Sequence, residues 1–161
     1  MARKIVIQGF ELPSHNHHTC VSDALQKAEN LCAERGERFT PLRRTILELL
    51  WSSHQPVKAY DLLAQLALTH DRPAPPTVYR TLDFLQEVGL VHKLESINSY
   101  IGCSEPERPH QGQFLICDNC SVVAELDDEV LSSRIETNAK RIGFKVSSET
   151  VEVRGICRVC Q

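Results

Sequence analysis

The stretch Pro75-Pro76-Thr77-Val78-Tyr79-Arg80-Thr81-Leu82-Asp83-Phe84-Leu85-Gln86-Glu87-Val88-Gly89-Leu90-Val91-His92-Lys93-Leu94 changes its period once. Up to Gly89, the residues Val78, Leu82, Leu85 and Val88 recur at helical spacing, a proline suits the first turn, and the glycine supplies a stop. Beyond it, Leu90 to Leu94 reads as a strand; a turn at Ile97-Asn98 and the segment Ser99-Tyr100-Ile101 complete a short hairpin. At about 100° per residue, Tyr79, Arg80, Asp83 and Glu87 lie opposite the apolar stripe, with Thr77 at its border.

Working back from this stretch, three more helices are predicted. One runs from Ser22 to Gly36 with Leu25, Ala28, Leu31 and Cys32 at helical spacing, which makes Cys32 a core residue. A second follows the N-cap and first-turn pair Thr40-Pro41, with Leu42, Ile46, Leu49 and Leu50 as its stripe. A third runs from Lys58 to His70, with Leu62, Leu63, Leu66 and Ala67 inward, and Asp71-Arg72-Pro73 closes it. Four helices followed by a hairpin make a winged helix whose reading element is the fourth helix. The N-terminal turn of that helix carries Thr77, Tyr79 and Arg80, where an arginine can donate two hydrogen bonds to a guanine and the helix dipole favours a phosphate. The same segment also reads as an ordinary amphipathic helix with a solvated polar face.

The rest of the composition sets bounds. A chain of 161 residues with 42% hydrophobic content suffices for one ordinary domain or two small ones. Its apolar stretches fall far below the ~20 residues that span a bilayer, and Arg3-Lys4 precedes too short an apolar run for a secretory signal. A cytoplasmic protein without membrane contact is expected. Seven cysteines, an odd number, point to metal ligands or core thiols more than to a disulfide framework. A net charge of −3 carries no global sign of nucleic-acid binding, so any DNA contact must rest on local geometry. Residues 1–20 show no periodicity and are expected to be a tail. Its cluster of His15, His17, His18 and Cys20 reads either as polar chain or as a weak metal site.

After Cys103 the pattern turns to strands and one helix. Phe114-Leu115-Ile116 and Ser121 to Ala124 flank the turn Cys117-Asp118-Asn119-Cys120, Val130 to Ile142 reads as a helix with Leu131, Ile135 and Ile142 apolar, and Thr150 to Arg154 alternates into Cys157-Arg158-Val159-Cys160. Two C-x-x-C pairs offer four thiolates from tight turns, a closed soft shell that suits structural Zn²⁺. A thioredoxin-like dithiol needs only one pair and a βαβ setting. A second constellation, His92, Cys103, His110 and Glu125, supplies a Cys, two His and a carboxylate from both sides of the predicted interdomain joint, enough to complete a tetrahedral site. Taken singly, His92 also reads as a wing surface residue, Cys103 as a small buried thiol and Glu125 as solvated charge. No HExxH motif and no H-x-E followed by P-C-x-x-C occurs, which argues against a zinc enzyme.

The segment Pro75 to Leu85 with Gly89-Leu90-Val91-His92-Lys93, together with Thr40-Pro41-Leu42-Arg43 and the two C-x-x-C pairs, resembles the ferric-uptake-regulator superfamily over nearly all of 22–160. The resemblance implies a winged helix, a C-terminal dimerisation domain and metal-dependent repression. Iron-type members usually carry a His-rich run before the first C-x-x-C, whereas this chain has His110-Gln111-Gly112-Gln113-Phe114-Leu115-Ile116 there. What remains resembles the zinc-uptake branch, whose sensory site is similar to His92, Cys103, His110 and Glu125. By the same resemblance Tyr60 and Arg80 contact bases, and Lys58, Thr77 and Tyr79 contact the DNA backbone.

The expectation is therefore an α+β chain: tail 1–20, winged helix-turn-helix 21–103, linker 104–109 and a small zinc-stabilised α/β dimerisation domain 110–161. It is expected to be a non-enzymatic, zinc-responsive repressor with two Zn²⁺ per subunit, structural at Cys117, Cys120, Cys157 and Cys160 and regulatory at the other four. Its homodimer would bind palindromic double-stranded operators of zinc-uptake genes, with no small-molecule substrate. A same-fold sensor of iron, manganese or peroxide, or a zinc-dependent enzyme, are the rivals.

Overall fold

The computed structural model describes residues 5–10, 17–69 and 73–161. His15, His70, Asp71 and Arg72 lie outside the described residues, as do Arg3 and Lys4. The described chain falls into two compact units, one within 12–108 and one made of 109–161 with the described part of 1–11.

The first unit is a winged helix-turn-helix. It holds α1 (His17–Glu34), α2 (Pro41–Trp51), α3 (Ala59–Leu66) and α4 (Pro75–Val88), then a hairpin of β2 (Val91–Leu94) and β3 (Ser99–Gly102). Helix α2 starts where Thr40 accepts a hydrogen bond from the Arg43 amide and Pro41 supplies a preset first turn. Helix α4 opens on Pro75 and Pro76, which have no amide to leave unsatisfied, and stops at Gly89, whose φ of 87° is the left-handed conformation a glycine adopts without strain. The core is apolar and tightly shared: Ala28, Ile46, Leu62, Leu82 and Leu85 are fully buried, with Cys32 among them. Each of the buried leucine and isoleucine side chains contributes roughly 1.5–3 kcal/mol.

The wing gains a third member by a bridge between Val57 and Tyr100, whose amides donate to each other's carbonyls at 2.8 Å. That bridge fixes the start of α3, since Lys58 follows at once. Gly102 is required by close approach: a Cβ there would lie 2.2 Å from the Trp51 indole nitrogen.

The second unit is a four-stranded sheet in the order β1-β5-β4-β6 with one helix. Its elements are β1 (Val6–Gln8), β4 (Gly112–Cys117), β5 (Val123–Leu126), α5 (Glu129–Arg141) and β6 (Thr150–Gly155). Strand β5 runs antiparallel to β4 and β1, whereas β6 runs parallel to β4 after the crossover through α5. Gln113, almost fully buried, has its amide satisfied on three sides. Its Nε2 donates to the Asp128 carbonyl and the Ser132 hydroxyl, and its Oε1 accepts from the Asp128 amide, which ties β4 to the start of α5.

Several expectations are corrected. Residues 1–20 are not a tail throughout: Val6–Gln8 pairs with β5, and α1 begins at His17, five residues before Ser22. An edge strand of three residues has no period to read, and the Val6–Leu126 pairing is far from local. The third helix ends at Leu66 instead of continuing through Thr69, and the strand after the first C-x-x-C begins at Val123, because Ser121 takes a φ of 60° that breaks the extended run. Among α5 residues none is fully buried: Ile135 and Ala139 are half-buried, and Val130 and Leu131 are exposed.

Candidate metal centre and nucleic-acid face

Parallel pairing of β4 with β6 builds the cysteine cluster. Cys117 stands opposite Gly155 at the end of the shared ladder, so both strands finish at one edge and each turns there into a C-x-x-C knuckle. The Asp118 amide donates to the Gly155 carbonyl at 2.8 Å, and Arg154 holds the Asp118 carboxylate with Nε at 2.7 Å, bracing one knuckle against the other. Within the knuckles the Ser121 amide donates to the Cys117 carbonyl and the Cys160 amide to the Cys157 carbonyl. A parallel partner 37 residues away is thus brought to Cys120, whose sulfur lies 3.7 Å from that of Cys157.

The four sulfurs of Cys117, Cys120, Cys157 and Cys160 all lie within 4.8 Å of one another. A tetrahedral ion with bonds of about 2.3 Å sets its sulfurs about 3.8 Å apart, so the spacing fits Zn²⁺. The chemistry of the cluster fits as well. Amides of Cys120 and Cys157 donate to the Cys117 sulfur and lower its thiol to about 6, whereas the neighbouring Cys120 and Cys157 thiols push Cys160 up to about 12. Four thiolates side by side need a cation to offset their repulsion.

The residues predicted as a second ligand set are arranged in pairs, one on each unit. On the winged unit, His92 faces Ile101 across the hairpin, and Cys103 lies two residues beyond Ile101, so both project from the same face. Cys103 is buried and its amide donates to the Leu90 carbonyl at 2.9 Å. On the sheet unit, His110 Nε2 lies 2.7 Å from Glu125 Oε1, and both side chains are only 4% exposed.

The face predicted to meet DNA is exposed where the expectation puts it. Thr77, Tyr79 and Arg80 are exposed on the first turns of α4 while Val78 and Thr81 point inward. Tyr60, 72% exposed, and Lys58 stand at the start of α3, and a shallow hollow between the two helices is lined by Ala59, Tyr60, Leu63, Pro75, Val78 and Tyr79. Asp83 and Glu87 are exposed further along α4, beyond its N-terminal half. Arg43, part of the quoted motif, stacks its guanidinium 3.1 Å over the Phe84 ring, so it packs α2 on α4.

Sequence reasoning missed three residues that shape these sites. Arg154 and Gln113 act through pairings that no local period reveals. His54, in the turn after α2, is buried, and its ring meets Trp51 edge-on with 6.2 Å between centroids.

With the geometry in hand, the likenesses to known proteins are specific. Residues 34–154 match the ferric uptake regulator family model. The zinc uptake regulation protein of Escherichia coli (strain K12) is 40% identical over 143 residues, 88% of this chain and 84% of its own. The peroxide operon regulator of Bacillus subtilis (strain 168) is 30% identical over 138 residues, 84% of this chain and 92% of its own. Among solved structures, a zinc uptake regulator complexed with zinc and DNA superposes with a TM-score of 0.84 at 40% identity, covering 87% of this chain and 94% of that one.

Proposed function

The chain belongs to the ferric uptake regulator family, and from that premise we propose that it is a zinc-responsive transcriptional repressor whose homodimer binds palindromic operators of zinc-uptake genes. It is a regulator, not an enzyme. The observation that carries the proposal is the likeness, over most of both chains, to a zinc uptake regulator held with zinc and DNA.

Two Zn²⁺ per subunit are proposed. Cys117, Cys120, Cys157 and Cys160 would hold the structural ion, a closed shell with no open position for chemistry. His92, Cys103, His110 and Glu125 would hold the regulatory ion, each unit contributing one pair. Bound there, Zn²⁺ supplies a divalent tie between side chains that belong to separate units. The thiolate of Cys103 favours Zn²⁺ over Fe²⁺ or Mn²⁺, which suit all-N/O sites. Ligation at this joint would bias the placement of the two winged helices of a dimer toward the spacing of two half-sites. Arg80 and Tyr60 would then reach base edges while Lys58, Thr77 and Tyr79 fix the register on phosphates.

Dimerisation through the sheet unit is supported by its exposed apolar residues, Val130, Ile142, Phe144, Val153 and Val159. Among the described residues no helix is long and apolar enough to cross a membrane. A cytoplasmic location fits the proposed DNA partner.

Operator binding measured by fluorescence anisotropy, with the cysteine cluster loaded and the second metal varied, tests the proposal. Zn²⁺ should tighten binding by about 5–150-fold, the range of a coupling energy of 1–3 kcal/mol. Cys103→Ser should stay folded and dimeric, keep the Zn²⁺ of the cysteine cluster and lose that response. A response to Fe²⁺, Mn²⁺ or peroxide with none to zinc would overturn it in favour of another sensor on the same scaffold.

A further inference from the structure

The histidines and cysteine at the start of α1 are absorbed by neither ligand set. Helix α1 carries His17 and Cys20 three residues apart, a spacing that sets both side chains on one face. Against that face stands His54 from the turn after α2. Its Nε2 lies 3.9 Å from the Cys20 sulfur, and its ring centroid lies 4.9 Å from that of His17 with the planes inclined by 40°. His54 is only 9% exposed and is held edge-on against Trp51, so its orientation is set by packing. Cys20 is partly exposed, which leaves the group open to solvent on one side.

From this juxtaposition of one thiol and two imidazoles we propose that His17, Cys20 and His54 form a further Zn²⁺ site, wholly within the winged unit and distinct from both ligand sets above. A tetrahedral ion bonded to sulfur at about 2.3 Å and to nitrogen at about 2.0–2.1 Å places those two donors about 3.6 Å apart, close to the observed separation of Cys20 and His54. A Cys-His-His shell leaves a fourth position for water. The trio offers three protein ligands where the cysteine cluster offers four, whose sulfurs all lie within 4.8 Å of one another. Occupancy would tie the start of α1 to the turn that leads into Val57 and Lys58. It would thereby stabilise the lead-in to α3 by mass action as zinc rises.

The full-length chain with its cysteine cluster loaded provides the test, with Co²⁺ as the spectroscopic probe and Zn²⁺ as its competitor. The unaltered chain should take up one more equivalent of Co²⁺ than Cys20→Ser or His54→Gln, and the sulfur-to-cobalt charge-transfer absorption of that equivalent should vanish in Cys20→Ser. Cys103→Ser should retain it, which separates this site from the proposed regulatory one, and His18→Gln should retain it too. Should the variants prove misfolded by circular dichroism, alkylation of the unaltered chain followed by peptide mass spectrometry decides the matter: added Zn²⁺ should protect Cys20. Equal Co²⁺ uptake by well-folded Cys20→Ser, or alkylation of Cys20 unchanged by Zn²⁺, overturns the proposal.

Discussion

Helices α4 and α5 are close in length, 14 and 13 residues, and each carries an apolar stripe, yet they dispose of it differently. Helix α4 buries Val78, Thr81, Leu82, Phe84, Leu85 and Val88 inside its own unit and leaves its polar first turns outside. Helix α5 buries no residue fully: Ile135 is half-buried, and Val130 and Ile142 are 79% and 83% exposed. Their starts differ as well: α5 is capped by the Asp128 carboxylate, whereas Ala74 ahead of α4 has no side chain to cap with and is followed by two prolines. What α4 leaves open is a polar surface suited to phosphates and base edges; what α5 leaves open is an apolar surface suited to another protein. The unfinished part of each helix marks where a partner belongs.

The largest effect should come from removing what substitutes for a buried α5. A sheet unit whose helix buries no residue fully depends more heavily on its metal, because zinc binding energy at a closed cysteine site is part of folding energy. Cys157→Ser should therefore lose the bound metal and unfold or aggregate the sheet unit, as read by metal analysis and circular dichroism. A folded dimer with full metal content would show that the sheet stands without the cluster, and the contrast with α4 would lose its energetic basis.

Next in size is Ile142→Glu at the end of α5. Within the subunit this exposed change should cost no more than about 0.5 kcal/mol. Across a dimer interface it should forfeit the ~1.5–3 kcal/mol of a buried aliphatic side chain and add a carboxylate to desolvate. The dimer dissociation constant should rise by about 10–100-fold in sedimentation equilibrium. No change would place the interface elsewhere on the sheet unit. For α4 the matching probe is Arg80→Ala, which should weaken operator binding by ~1–3 kcal/mol and relax the preference at one guanine without altering zinc content. Equal losses on operator and random DNA would assign Arg80 to phosphate alone.

The two helices also mark how far the sequence could be read. Thr40-Pro41, the Pro75-Pro76 start and the Gly89 stop are local signals, and the helices they bound lie where they are expected. The two C-x-x-C pairs were legible because a soft tetrahedral shell needs that spacing, and the structure brings all four sulfurs together. The exposed start of α4 was legible from a period of 3.6. Non-local pairing was not: Val6 opposite Leu126, the Arg154 brace on Asp118 and His54 beside Cys20 join residues that no window of sequence contains. Nor could periodicity tell that Val130 and Ile142 of the α5 stripe stay exposed, since a stripe records that a helix is amphipathic and not where its partner comes from.

The smallest predicted effect sharpens the contrast at the helix starts. The Asp128 Oδ1 accepts from the Val130 amide at 2.9 Å and the Leu131 amide at 3.3 Å, satisfying two donors that α5 would otherwise leave open. The backbone of Asp128 is held independently by the buried amide of Gln113, so Asp128→Ala should remove the cap without displacing the turn. The expected cost is about 0.5–2 kcal/mol of stability in the zinc-loaded dimer, read as a lower urea midpoint at unchanged slope. Operator affinity at saturating zinc should not move, because the cap serves the sheet unit alone. Helix α4 offers no equivalent loss, its first two positions being prolines. If Asp128→Ala instead dissociates the dimer as strongly as Ile142→Glu, the start of α5 belongs to the interface, and the helix is open along its whole length and not only along its apolar side.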